Sequence, residues 1–149
     1  MITKLGKQNL EKQIKDLQTE LDRTYKLRNE AAAEGDLKEN SAYIFMGERA
    51  TVLSSQIFEA IDDLKQAVVQ SAPTQSDVIS FGHKVSICFE EDQRNMTITL
   101  VGKNDARLKP DWISIQSPIG EALLGKKKSD KVSVNGQTVT IVDISIGEI

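Results

Sequence analysis

The stretch Gly35-Asp36-Leu37-Lys38-Glu39-Asn40 separates two long segments of helical periodicity, and its reading as a chain reversal decides the fold. Before it, Leu10, Ile14, Leu17, Leu21 and Tyr25 recur at steps of four and three. After it, Met46, Ala50, Leu53, Ile57, Ile61, Leu64 and Val68 step in a similar way. This is the 3.5-residue spacing of a two-helix coiled-coil seam rather than the broad stripe of a helix lying on a globular core. No proline precedes Pro73, so nothing breaks either arm. Lys7, Lys12, Lys15, Asp16, Glu20, Asp22, Arg23 and Lys26 fill the other faces of the first arm, as on a solvated helix. An arm from Gly6 to Ala33 reaches ~40 Å at the helical rise per residue. The expected product is an antiparallel hairpin with two carboxylates, Asp36 and Glu39, at its tip. Acids there are poorly placed for packing and well placed to carry charge, or a metal ligand, into another molecule's cavity.

Beyond the hairpin the pattern changes. Ser71-Ala72-Pro73-Thr74-Gln75-Ser76 is a polar linker, and Pro73 ends the helix before it. Alternation of period two then marks strands over His83 to Glu90, Met96 to Val101 and Trp112 to Ile115. Ser117-Pro118 reads as an N-cap followed by proline in the first helical position, opening a short helix through Leu124 that Gly125 closes. Asn135-Gly136 is a two-residue hairpin turn between a strand at Val132 and Val134 and a returning strand from Val139 to Ile146. The fold class is therefore α+β, with a coiled-coil hairpin over 1–72 and a small antiparallel sheet domain carrying one short helix over 77–149.

Composition narrows the function. The 149-residue chain carries a net charge of −3, so no basic excess is available for a nonspecific grip on a phosphate backbone. Lys126-Lys127-Lys128 is the one basic run and reads as a solubilising loop. The single cysteine, Cys88, rules out an internal disulfide framework and suits a reducing cytoplasm. Lone His83 cannot build a histidine metal cluster, and Cys88 alternates within a strand as a core residue rather than a nucleophile. No apolar run of membrane-spanning length occurs, so no membrane partner is expected.

Two readings of the tip stand side by side. Gly35 suits the left-handed residue that closes the first helix, Asp36 an N-cap for the second, and Glu39 the third residue of a capping box. The alternative is that the acids act on a partner. A polar continuation through Lys38, Asn40 and Tyr43 directly follows or surrounds them and would support an ordered tip.

The tip, read as Gly35-Asp36-Leu37-Lys38-Glu39-Asn40-Ser41-Ala42-Tyr43, resembles that of the Gre transcript-cleavage factors, the GreA/GreB family that acts on bacterial RNA polymerase. A second motif of that family is matched by Ile113-Ser114-Ile115-Gln116-Ser117-Pro118-Ile119 and Ala122-Leu123-Leu124-Gly125-Lys126. The resemblance implies a coiled coil that enters the polymerase's secondary channel and an FKBP-like domain that docks at its rim. It implies that Asp36 and Glu39 are the catalytic pair, holding a second Mg²⁺ against backtracked RNA only within the polymerase complex. No cofactor is expected in isolation, since two carboxylates are too few to hold Mg²⁺ alone. Lys38, Asn40 and Tyr43 would support the tip, Arg28 and Arg49 would contact RNA, and Trp112, Ser117, Pro118 and Ile119 would dock on the polymerase, with Ile119 as an exposed apolar anchor.

The sequence also departs from the family pattern. Basic residues common four before and eleven after the tip aspartate are here Ala32 and Gly47, and Glu121 replaces an arginine of the docking helix. These departures keep open a paralogue that occupies the channel as a competitor or inhibitor. A coiled-coil adaptor whose tip is only a cap is a third reading. A prolyl isomerase would need an aromatic-lined pocket, and Phe81, Phe89 and Trp112 are too few for one.

Overall fold

The computed structural model of the chain describes residues 1–34 and 41–149, with no account of the Glu34 side chain. The reversal itself, and with it Asp36, Lys38, Glu39 and Asn40, lies outside the described residues. The elements in order are α1 (Lys4–Glu34), α2 (Ser41–Gln66), β1 (His83–Phe89), β2 (Arg94–Val101), β3 (Trp112–Ser114), α3 (Pro118–Leu123), β4 (Lys131–Val134) and β5 (Gln137–Ile146). They fall into two compact units. One is Gln8–Gln66, and the other joins Met1–Lys7 to Ala67–Ile149.

In the helical unit, long uninterrupted helices form because no proline or helix-terminating turn occurs between their ends. The partners of α1 fall along α2 from Arg49 to Tyr43 as the α1 number rises from Glu20 to Arg28, so the arms run antiparallel. The stripe of α2 that faces α1 is Met46, Ala50, Leu53, Ile57, Ala60 and Leu64, in strict alternation of four and three, buried from Ala50 to Ala60 and half-buried at its two ends. Leu53 is fully excluded from solvent. Two seam positions differ from the sequence expectation: Ala60 takes the place assigned to Ile61, and Val68 lies beyond α2 and is exposed. On α1 the stripe runs Leu10, Ile14, Leu17, Leu21, Thr24 and Arg28, so it passes through Thr24 and leaves Tyr25 exposed. A step of three keeps the seam facing its partner where a second step of four would rotate it away. Thr24 tolerates burial because its hydroxyl donates to the Glu20 carbonyl at 2.8 Å.

The other unit is a five-stranded sheet of order β3-β2-β1-β5-β4. Its four strand pairings are antiparallel except at one edge, where β3 runs parallel to β2 and pairs Thr99 with Trp112. The expected antiparallel sheet is thus a mixed one. The 102–111 connection carries the chain back far enough to enter β3 in the same direction as β2, a reversal that strand alternation alone does not encode. β1 alternates buried and outward residues, with Val85, Ile87 and Phe89 in a core completed by Leu100, Leu123 and Ile141. Between β4 and β5, Asn135 (φ 51°) and Gly136 (φ 79°) both adopt left-handed backbone, as a tight I′ hairpin turn requires.

The first seven residues pack within this sheet unit. Ile2 bridges Val69 in parallel, donating to the Val68 carbonyl and accepting from Gln70. Thr3 caps α1 by accepting the Gly6 N–H at 2.9 Å. Asp105, fully buried, accepts the Thr3 N–H at 3.0 Å, the Thr3 hydroxyl at 2.7 Å and the Gly102 N–H at 3.0 Å. Glycine is required at position 6 because a β-carbon there would overlap the Asp105 carboxylate.

Candidate functional site

Of the tip-support residues, Tyr43 is described, in the first turn of α2. Its hydroxyl accepts a hydrogen bond from Arg28 Nη2 at 2.9 Å, and the Arg28 guanidinium carbon stands 4.5 Å from the centre of its ring. The contact joins the last third of α1 to the start of α2. Arg28 is half-buried, with its Nε shielded from solvent. Arg49 is ion-paired with Glu20 on the facing helix. Both arginines assigned to RNA contact are therefore engaged within the hairpin, and Arg49 sits beside Phe45, Met46 and Leu27 in a shallow groove of about 200 Å³.

The second candidate region is the start of α3. Ser117 is the N-cap: its Oγ accepts the Gly120 N–H at 3.1 Å and donates to the Ser114 carbonyl at 2.6 Å. Pro118 occupies the first helical turn and is exposed, as is Gln116. Glycine at 120 lets this turn pack directly on the Ser114 backbone. Ile119 is only half-exposed and packs against the main core, so it contributes to stability as well as to any surface. Trp112 is 3% exposed and packs with Phe81 and Val101, with Lys109 Nζ 4.9 Å from its ring centre. Its indole is thus a core group, and the motif residues exposed around the start of α3 are Gln116 and Pro118, with Ser117 half-buried between them.

Other titratable groups are accounted for structurally. Buried His83 accepts the Ser80 N–H on Nδ1 at 2.9 Å and donates from Nε2 to the Gln75 carbonyl at 2.6 Å, which fixes its tautomer and ties the linker to β1. Cys88 has as its polar neighbour the Phe89 carbonyl at 3.8 Å, not His83. Glu90 is held below the ordinary carboxylate range by the Thr140 hydroxyl first and by Lys131 second. The triple-lysine loop is exposed, and the Lys127 N–H closes it on Asp130 at 2.8 Å. Among the described residues no three His, Cys, Asp or Glu side chains converge on a possible metal site. Among them, too, no helix is long and apolar enough to cross a membrane. Asp36 and Glu39 supply oxygen donors of the hard kind that Mg²⁺ takes, and two of them form part of a ligand set rather than a whole one.

A two-unit chain with a coiled-coil hairpin followed by a small mixed sheet, and with acids between the arms, defines a class by its sequence matches. Residues 1–69 match the model described as "Transcription elongation factor, N-terminal", and residues 74–146 match "Transcription elongation factor, GreA/GreB, C-term". The chain belongs to the GreA/GreB family of transcription elongation factors. Among its relatives, transcription elongation factor GreA of Rhodospirillum rubrum is 36% identical over 132 residues, covering 87% of this chain and 83% of that one. GreA of Syntrophomonas wolfei is 30% identical over 143 residues, covering 95% and 90%. Among solved structures, the GreA factor homolog Gfh1 of Thermus thermophilus is 23% identical, covers 97% of each chain and has a TM-score of 0.45. The GreA/GreB factor of Nitrosomonas europaea is 25% identical, covers 66% of this chain and 90% of that one, with a TM-score of 0.42. The family assignment rests on the sequence matches.

Proposed function

We propose that the protein stimulates RNA polymerase's own Mg²⁺-dependent hydrolysis of backtracked transcript, and is not itself an enzyme. The observation that carries this is the pair Asp36 and Glu39, in the segment between two long antiparallel arms, in a chain of the GreA/GreB family. Asp36 and Glu39 would hold a second Mg²⁺ that supplies charge for activating water, with the polymerase's acids and the RNA phosphate completing the ligand set. Gln116, Ser117 and Pro118 would form the docking edge, with Ile119 beneath them. The partners are then RNA polymerase and the nascent RNA inside its elongation complex.

One observation favours a second function, occupation of the channel as a competitor. Ala32 and Gly47 carry no charge, and the arginines nearest to them are engaged with Tyr43 and Glu20. That leaves less cationic grip on RNA. A stalled, backtracked elongation complex separates the two: the purified protein shortens the 3′ end of the transcript if it is a cleavage factor. A competitor binds the complex, leaves the RNA intact and blocks another cleavage factor. Failure to bind polymerase at all would leave only the adaptor function.

A further inference from the structure

Arg28 occupies a position that coiled-coil packing reserves for an apolar side chain. It follows Leu17, Leu21 and Thr24 on the stripe of α1 that faces α2. Its guanidinium crosses to α2, stacks on the Tyr43 ring at 4.5 Å and donates to the Tyr43 hydroxyl at 2.9 Å. It also lies over the backbone of Gly47, where a β-carbon would meet Nε, Cζ and Nη2 at 3.5, 3.7 and 3.8 Å. Alanine would fit there, whereas a longer side chain would contest the space. Arg28 Nε is buried and has no hydrogen-bond partner among the described residues. An orphaned buried donor costs stability that methionine, of similar reach, would avoid. A seam built for stability alone has no use for this arginine. The arrangement does tie α1 to Tyr43, three residues beyond Asn40.

We infer that Arg28 is a positioning residue: acting through Tyr43 in the space left by Gly47, it fixes the first turn of α2 and thereby raises the rate of transcript cleavage, without itself binding RNA. This rests on the function proposed above. Cation–π and hydrogen-bonding contacts made by one planar group fix a ring in both distance and angle, which a lysine ammonium cannot reproduce.

The test uses the full chain with Arg28→Met, Arg28→Lys and Tyr43→Phe, read in two ways. Amide hydrogen exchange of the free protein over residues 41–47 reports the clasp. Cleavage titrations on backtracked complexes separate the maximal rate from the half-saturating concentration. The expected result for Arg28→Met is an unchanged or higher melting temperature, exchange at least tenfold faster over 41–47, and a maximal rate at least fivefold lower at an unchanged half-saturating concentration. Arg28→Lys should recover little of that rate, Tyr43→Phe should lie between, and adding Tyr43→Phe to Arg28→Met should cost no more. Unchanged exchange overturns the proposal. So does a higher half-saturating concentration with a normal maximal rate, which would make Arg28 a direct contact. A loss of rate that only tracks a lower melting temperature would make it merely structural. If the wild-type chain does not cleave, the functional proposal fails, while accelerated exchange in Arg28→Met still upholds the clasp.

Discussion

Replacing Asp105 by alanine should be the most damaging small substitution in the sheet unit. Its carboxylate is fully buried and receives three donors: the Thr3 N–H, the Thr3 hydroxyl and the Gly102 N–H. Hydrogen bonds to a charged acceptor contribute about 1.5–3 kcal/mol each, but three sharing one carboxylate do not add fully, and burial of the charge offsets part of the gain. The expected loss is therefore about 3–5 kcal/mol. Asp105→Asn should lose less than alanine because one oxygen still accepts, but it should not be neutral, since the new NH₂ would face N–H donors. Urea unfolding followed by Trp112 fluorescence is the suitable assay, since this single tryptophan is buried in the same unit. A cycle with Thr3→Ala should show a coupling above about 1 kcal/mol, as for residues in one network. A loss below about 1 kcal/mol for Asp105→Ala would mean that water replaces the carboxylate at no cost, and the buried network would then contribute nothing to stability.

Three further outcomes are expected. Leu53→Asp places a charge at a fully buried seam position and should cost at least about 4 kcal/mol, seen as lost helical circular dichroism; retention of the wild-type signal at 37 °C would contradict the seam. Gly47→Ala should stabilise the hairpin by about 0.5–1 kcal/mol, because the β-carbon meets only ordinary contacts, and thermal melting of the variant checks this. Glu90 has a lowered pKa in the folded state, so its stabilising contribution is present above the ordinary glutamate range and is lost as pH falls through the folded value. The difference in melting temperature between wild type and Glu90→Gln should accordingly shrink on acidification from neutral pH, and a constant difference would contradict the assignment.

Much of the fold was legible because its elements announce themselves locally. Asn135-Gly136 specified its own turn, Ser117-Pro118 its own helix start, and the alternation in β1 its own buried face. The apolar pattern marks the seam at Leu53 and Ile57 but misses it at Thr24 and Ala60, where small or polar residues occupy buried sites beside the larger Tyr25 and Ile61. Nonlocal contacts were invisible. Nothing near Asp105 signals that it receives Thr3, 102 positions away, so the sequence boundary left residues 1–7 with the hairpin. A fragment starting near Gln75 would omit those residues and leave the Asp105 carboxylate without Thr3. At the candidate sites, Arg28 and Arg49 looked available because charge is read from composition, whereas their pairing with Tyr43 and Glu20 depends on helix register. Trp112, grouped by its motif with the docking residues, is held in the core by Phe81 and Val101, a contact that strand alternation does not encode.

The most direct test of the central claim compares wild type with Asp36→Asn on a backtracked elongation complex, at concentrations giving equal polymerase occupancy. Asparagine is as good an N-cap as aspartate, so the substitution removes the charge and keeps the capping chemistry. Metal delivery by the tip acids requires that Asp36→Asn, and Glu39→Gln beside it, bind polymerase as wild type does but lose most transcript cleavage, with partial recovery as Mg²⁺ is raised. Undiminished cleavage by Asp36→Asn would contradict it and reduce the acid to a helix cap.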